Sequence, residues 1–187
     1  MRKIIVQMMV TMDGCYAGPN GEVDWHVADE EYMEYSLAVL RSVDGLLLGR
    51  RTYELMVDYW PTPYAREHHP EVALFMNTLP KLVVTSRHPS KTAWENTIYI
   101  QDSPVEQLRM LKKQPGKDLV ILGSSELIRT IMPYHLIDEY CIIVNPIVLG
   151  KGMPLFSGID NKVRMELTGT KAFRSGNVLL TYRHPTV

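Results

Sequence analysis

Cysteine is scarce in this sequence of 187 residues, which contains only Cys15 and Cys141. A disulfide framework needs more than these two, so we expect reduced thiols and a cytoplasmic protein. Long apolar runs are also missing, since no segment approaches the ~20 apolar residues that span a bilayer. The apolar run after residues 1–3 breaks at Gln7, which argues against a signal peptide.

An excess of either charge is absent, because 20 Lys and Arg residues stand against 21 Asp and Glu residues. Global electrostatics gives no case for nucleic acid or an acidic membrane, and we expect neither as a partner. The Gly-x-Gly-x-x-Gly fingerprint of the standard dinucleotide fold is missing too. Glu67, His68 and His69 lack the spaced geometry of a zinc site, so we expect no metal.

The apolar periodicity predicts strands that alternate with helices, followed by a tail of strands alone. Helices are predicted over residues 29–42 and 51–59, from Ser103 onward and after Ser124, with the Pro-, His- and Glu-rich residues 61–71 as a loop. Strands are predicted over residues 3–10, 45–49, 81–85, 97–100, 118–122, 137–144, 163–170 and 177–183. This order predicts one α/β domain over residues 1–187, with a mostly parallel central sheet and an antiparallel hairpin at its C-terminal edge.

Three strand-to-helix junctions carry groups suited to phosphate. At the first, Gly49 ends a strand, and Arg50, Arg51 and Thr52 begin a helix. A helix N-terminus offers unpaired N–H groups and the positive end of its dipole, and arginine adds fork-shaped donors. The alternative is a tight glycine turn with solvated arginines.

The second junction, Thr85, Ser86 and Arg87, directly follows an apolar strand. Its hydroxyls and guanidinium suit a phosphate monoester such as the 2′-phosphate of NADP. A serine- and arginine-containing turn is common after strands, which is the structural alternative.

The third junction is a glycine turn that opens a helix, with the sequence Gly123, Ser124, Ser125 and Glu126. A glycine there permits close approach by a pyrophosphate, although a serine-capped helix explains the same residues. Each junction is a weak signal alone, but together they favour a phosphate-bearing dinucleotide.

The order of these motifs resembles the dihydrofolate-reductase-like superfamily. Met12-Asp13-Gly14 after the first strand, Trp25 before Asp29 and the three junctions all contribute to the resemblance, which extends from about Lys3 to Tyr182. The sequence most closely resembles the reductase domain of the bifunctional riboflavin-biosynthesis deaminase–reductase and its stand-alone bacterial relatives. Residues 145–152 are similar to the late glycine loop of that subgroup.

The resemblance implies a three-layer fold that binds NADPH, and a homodimer. By position, it implies that the three junctions hold the cofactor and that Tyr16 and Ala17 flank the nicotinamide. It also implies a substrate side that includes Trp25, Asp29, Met33 and Tyr53.

A carboxylate at the start of the first helix grips the substrate ring in dihydrofolate reductases, and Asp29 or Glu30 occupies that region here. Such a group can accept hydrogen bonds from a heterocycle and assist the proton transfer that accompanies hydride transfer. Asp29 is also a suitable helix N-cap, which is the structural alternative. The aromatic side chains that could wall the pocket, or simply fill the core, are Trp25, Tyr53, Tyr59 and Trp60.

We therefore expect an NADPH-dependent reductase of a small pterin- or pyrimidine-like heterocycle. The spacing before Asp29 makes true dihydrofolate reduction less favoured, and the absence of a deaminase domain does the same for the riboflavin step. The alternative is a non-catalytic nucleotide-binding protein or structural dimer that keeps the fold. A substrate space filled by Trp25 or Tyr59 would favour that alternative.

Overall fold

The structure is a computed structural model that describes residues 1–87 and 94–185. Its strands are β1 (Ile4–Thr11), β2 (Cys15–Ala17), β3 (Val43–Gly49), β4 (Lys81–Val84), β5 (Thr97–Ile100), β6 (Asp118–Leu122), β7 (Glu139–Asn145), β8 (Met153–Pro154), β9 (Glu166–Ala172) and β10 (Val178–Arg183). Its α-helices are α1 (Glu30–Ser42), α2 (Arg50–Val57), α3 (Pro63–His68), α4 (Pro70–Thr78), α5 (Pro104–Lys113) and α6 (Ser125–Ile131), and a 3₁₀ turn covers Met132–Tyr134. No helix in these ranges is long and apolar enough to cross a membrane.

The main sheet has eight strands in the order β5-β4-β3-β6-β1-β7-β10-β9. Strand β1 lies at its centre, where Val6 is in register with Ile121 of β6 and with Tyr140 of β7, both in parallel. Only β10 runs antiparallel to its neighbours β7 and β9. The predicted fold class, a mostly parallel sheet with an antiparallel C-terminal hairpin, is confirmed.

Alternating side chains of the sheet are buried on both of its faces, which creates three layers with three apolar clusters. On one face, Ile4 and Val6 of β1 belong to the same cluster as Leu108 of α5 and Ile128 of α6. On the other face, residues of β3 pack with α1, α2 and α4; this cluster includes Leu46, Leu48, Leu40, Tyr53 and Met76. Burying one such aliphatic side chain stabilises the fold by about 1.5–3 kcal/mol.

The predicted loop over residues 61–71 is wrong, because this region contains all of α3 and the start of α4. Thr62 caps α3 by accepting a hydrogen bond from the backbone N–H of Ala65 at 3.2 Å. Pro63 and Pro70 each stand at the start of a helix, where a missing N–H has no cost. Proline therefore marks helix starts here, where its frequency had indicated a loop.

The turn between β9 and β10 anchors the segment that leads into α1. The side-chain amide of Asn177 donates to the carbonyl of Val27 at 2.7 Å, and Asn145 of β7 accepts from the N–H of Val27 at 3.0 Å. The backbone N–H of Arg174 also donates to the carboxylate of Glu31 at 2.6 Å. The N-terminal end of α1 is thereby fixed against the antiparallel edge.

Candidate functional site

A cavity of about 1020 Å³ opens beside the carboxyl ends of β3 and β6 and extends along β1. This is the edge of an open α/β sheet at which ligands bind. Of the residues predicted for a site, those that line it are Tyr16, Ala17, Met33, Gly49, Arg51, Thr52, Gly123, Ser124, Ser125 and Glu126. The cavity volume is at the upper end of the usual range for small-molecule sites.

The first and third junctions hold each other in place. The backbone N–H of Gly49 donates to the hydroxyl of Ser124 at 2.9 Å, and the hydroxyl of Thr52 donates to the carbonyl of Gly123 at 3.1 Å. Gly123 has a φ of +60°, a conformation that favours glycine. Two segments 75 residues apart therefore form one polar surface of the cavity.

The two adjacent arginines have different surroundings. Arg51 lines the cavity, and its guanidinium lies 3.5 Å from the carboxylate of Glu126. Arg50 does not line the cavity, and pairs with Glu54 one turn along α2 at 2.7 Å. Of the two, only Arg51 is placed to meet a ligand in this cavity.

The second junction lies outside the cavity, although it follows β4 at the same edge of the sheet. Thr85 is buried, and its hydroxyl accepts a hydrogen bond from the backbone N–H of Arg87 at 3.1 Å. Ser86 and Arg87 are exposed. A ligand would have to extend beyond the cavity along the sheet edge to reach them.

Tyr16 and Ala17 belong to β2, which pairs with β8 in a separate two-stranded sheet. Gly152 has no room for a side chain, since a Cβ there would lie 2.8 Å from the carbonyl oxygen of Ala17. Asp13 secures the same region by accepting a hydrogen bond from the N–H of Gly150 at 2.8 Å. Hydrogen bonds from Thr11 and Gly150 hold the pKa of the Asp13 carboxyl below its ordinary value.

Asp29 caps α1 and does not line the cavity. Its carboxylate accepts a hydrogen bond from the backbone N–H of Tyr32 at 2.9 Å, and this contact lowers the pKa of Asp29. A carboxyl with a lowered pKa is ionised at neutral pH and is a poor proton donor there. The geometry supports the capping alternative and offers nothing for the catalytic one; Glu30, the other candidate carboxylate, is the first residue of α1 and also lies outside the lining.

Two predicted substrate contacts are also absent from the lining. Tyr53 is fully buried, and its hydroxyl accepts a hydrogen bond from the backbone N–H of Trp94 at 2.8 Å. Trp25 donates through its ring N–H to the carbonyl of Glu22 at 3.2 Å and packs edge-on against His26. Tyr53 is therefore a core residue, which corrects its prediction as a substrate contact.

The sequence matches the model of the RibD C-terminal domain over residues 2–179. The chain belongs to this family. The uncharacterized protein YyaP of Bacillus subtilis (strain 168) is 34% identical over 184 residues, which cover 97% of this chain and 94% of that protein.

Two solved structures share the fold at low identity. The diaminohydroxyphosphoribosylaminopyrimidine deaminase/5-amino-6-(5-phosphoribosylamino)uracil reductase of Thermotoga maritima superposes with a TM-score of 0.70 at 14% identity, covering 98% of this chain and 57% of that one. The dihydrofolate reductase of Enterococcus faecalis, in complex with NADP(H) and RAB-propyl, superposes with a TM-score of 0.64 at 18% identity, covering 97% of this chain and 95% of that one. The fold is therefore dihydrofolate-reductase-like, as the sequence motifs predicted.

The apolar wall of the cavity was predicted from the sequence only in part. Tyr59 and Trp60 had been named as possible pocket walls, and both line the cavity. Six methionines also line it, of which only Met33 was predicted: Met8, Met9, Met33, Met56, Met76 and Met153. Gln7 had a usable signal, because it is the one polar side chain between Ile4 and Val10.

The described residues contain no group of three or more His, Cys, Asp or Glu side chains that could hold a metal ion. Glu67 and His68 lie at the end of α3, where a ring nitrogen of His68 is 3.0 Å from the carbonyl oxygen of Tyr64.

Proposed function

We propose that this protein is a reductase that transfers a hydride from NADPH to a small pterin- or pyrimidine-like heterocycle. The observation that carries the proposal is the composition of one continuous cavity. Its polar part is formed by the two glycine junctions, and the remainder is lined mainly by methionine, aromatic and aliphatic side chains. A dinucleotide with a flat ring beside it has the same division into a charged part and an apolar part.

The residues of the polar part suit the phosphates of NADPH. The first turn of α2 leaves backbone N–H groups without partners inside the helix, and Arg51 adds a cation. The positive φ at Gly123 keeps a side chain away from the turn. When bound, NADPH would supply the hydride, while Tyr16 and Ala17 would flank its nicotinamide.

The apolar part would hold the substrate ring and exclude water. Tyr59 and Trp60 offer faces for a flat ring. The methionines provide flexible, polarisable walls that can adapt to its outline. Such a pocket orients the ring against a cofactor, which is a major part of catalysis by a hydride-transfer enzyme.

The non-catalytic alternative required a substrate space filled by Trp25 or Tyr59. Trp25 lies outside the lining, and Tyr59 borders the cavity without closing it. The open space supports the reductase over a nucleotide-binding protein with a blocked site.

Fluorescence titration of the purified protein with NADPH and, separately, NADH tests the cofactor half of this proposal. We expect saturable binding that favours NADPH. Absorbance at the NADPH band should then reveal cofactor oxidation with a member of a panel of oxidised pterins and pyrimidines. Failure to bind either cofactor would remove the reductase proposal and leave the fold unchanged.

We also propose a homodimer, on the resemblance to the stand-alone relatives. Light scattering coupled to size-exclusion chromatography measures the molar mass directly. A mass twice that of the 21.4 kDa chain is expected, and a monomer across the working concentration range would contradict it.

A further inference from the structure

A buried amide lies on the wall of the cavity, in the centre of the sheet. Gln7 of β1 is only 6% exposed and lines the cavity. Its side-chain N–H₂ donates to the hydroxyl of Tyr32 at 3.1 Å and to the hydroxyl of Ser36 at 2.8 Å. Its amide oxygen has no hydrogen-bond partner within the described ranges. A buried amide oxygen without a hydrogen-bond partner lowers the stability of the fold, so its presence calls for an explanation such as a bound ligand.

The two hydroxyl groups both belong to the cavity. Tyr32 and Ser36 are four residues apart on α1, and therefore share one face of the helix. Each hydroxyl has one proton to donate and two lone pairs. Because each hydroxyl accepts a hydrogen bond from Gln7, each keeps its own O–H to donate to another acceptor, and residues 1–87 and 94–185 supply no such acceptor.

We propose that Tyr32 and Ser36 donate hydrogen bonds to a carbonyl oxygen of the substrate ring, and that Gln7 positions them as donors. This inference rests on the proposed function, since it assumes that the ring occupies this cavity. It assigns the polar anchor of the ring to three residues of β1 and α1, in place of Asp29. Gln7 is a positioning residue, and the two hydroxyl groups contact the substrate.

The charges of the lining restrict the substrate further. Arg51 is the only lysine or arginine among the described lining residues, and it stands beside the glycine junctions with Glu126. The other charged groups of the lining are the carboxylates of Glu54 and Asp58. Desolvation lowers the pKa of His26, a further lining residue, so its ring is neutral near pH 7.

With Arg51 engaged by the cofactor, a phosphate on the substrate would find carboxylates and no second cation among the described residues of the lining. A buried or partly buried anion without a partner is strongly disfavoured. The substrate is therefore a carbonyl-bearing ring without a phosphate. In this respect it differs from the phosphoribosylated uracil in the name of the Thermotoga maritima protein.

Isothermal titration calorimetry with a matched pair of rings tests the anchor. 5,6-Diaminouracil carries two carbonyl groups, which 2,4,5,6-tetraaminopyrimidine replaces with amino groups. We expect the uracil to bind at least about tenfold more tightly, and each of Tyr32→Phe and Ser36→Ala to remove about tenfold of its affinity, since one hydrogen bond is lost in each. Tyr35→Phe, which removes a hydroxyl group of α1 outside the cavity lining, is the control and should bind as the wild type does.

The Gln7→Glu variant distinguishes a positioning role of Gln7 from a purely structural one. A carboxylate accepts hydrogen bonds from both hydroxyls and leaves only their lone pairs for the ring. The preference should therefore reverse toward tetraaminopyrimidine, whereas a merely structural role for Gln7 would weaken both ligands alike. Thermal denaturation verifies that each variant folds.

A second matched pair, 5-amino-6-ribosylaminouracil and its 5′-phosphate, tests the charge argument in the presence of saturating NADP⁺. The unphosphorylated compound should bind more tightly.

Equal or tighter binding of the phosphate would overturn the inference, as would unchanged uracil binding in Tyr32→Phe and Ser36→Ala, or no uracil binding to the wild type. NADPH binding is measured separately, so a loss of the anchor alone leaves the proposed function standing. The free protein still tests the anchor if NADPH fails to bind.

Discussion

The two parts of the cavity differ in how the chain builds them. The polar part comes from two short motifs, residues 49–52 and 123–126, each contiguous in sequence and joined by the hydrogen bond from Gly49 to Ser124. The apolar part is assembled from single residues of β1, α1, α2 and α4, such as Met9, Met33 and Met76. A local conformational requirement therefore determines the first, and long-range packing determines the second.

The largest effect should come from Arg51→Ala, which removes the cation of the polar part. A charge-assisted hydrogen bond contributes about 1.5–3 kcal/mol, so NADPH affinity should fall roughly tenfold to a hundredfold. Binding of 5,6-diaminouracil to the cofactor-free protein should not change. Arg50→Ala is the matched control, because Arg50 pairs with Glu54 and lies outside the lining. Equal losses in both variants, measured by NADPH fluorescence, would show that the two arginines are not distinguished by the cavity.

Tyr53→Phe should have a large effect on stability and none on ligands. It leaves the backbone N–H of Trp94 buried without its acceptor, which should lower the free energy of unfolding by about 1–3 kcal/mol. Met33→Ala should show the opposite pattern, since Met33 lines the apolar part: ring binding weakens more than stability does. Urea denaturation and calorimetry measure the two quantities. Loss of ring binding in Tyr53→Phe would restore its prediction as a substrate contact.

The same division explains what could be predicted from the sequence. Glycine, hydroxyl and arginine groups at the end of an apolar strand have a local physical meaning, and seven of the eight residues in the first and third junctions line the cavity. Arg50 is the exception, because the choice between neighbouring arginines depends on the rotation of α2 and on its pairing with Glu54. The prediction of Tyr53 as a substrate contact failed for a related reason, since an aromatic residue on a helix fits a core and a pocket equally well.

Prediction from the sequence failed more widely for features that depend on tertiary packing. Helices α3 and α4 are short, and burial of residues such as Ala65 and Met76 stabilises them. Gln7 could have been noticed as a polar residue in an apolar strand, but its partners Tyr32 and Ser36 lie 25 and 29 residues away. No local pattern indicates that contact.

Within the polar part, the two junction glycines should differ in their tolerance of a side chain. Gly123→Ala places a Cβ on a residue with a φ of +60°, which costs about 1–2 kcal/mol. Gly49 has a φ of −78°, and a Cβ there would lie 3.7 Å from the Cβ of Ser124, an ordinary contact. Gly49→Ala should therefore leave the urea midpoint nearly unchanged. A greater loss of stability in Gly49→Ala would mean that the two junctions depend on each other more tightly than their hydrogen bonds indicate.

The smallest effect is expected from Asp29→Asn. Asparagine caps helices as well as aspartate does, so stability and turnover should both stay close to the wild type. Asp29→Ala removes the acceptor for the N–H of Tyr32 and should lower stability measurably. Because the folded pKa of Asp29 is below its ordinary value of 3.8, this carboxylate stabilises the fold above that value and loses its contribution as the pH falls through the folded pKa. The stability curves of the wild type and Asp29→Ala should therefore converge in acid. If Asp29→Asn abolished turnover while its stability stayed intact, Asp29 would be a catalytic carboxylate, and the apolar part of the cavity would have to open toward it when substrate binds.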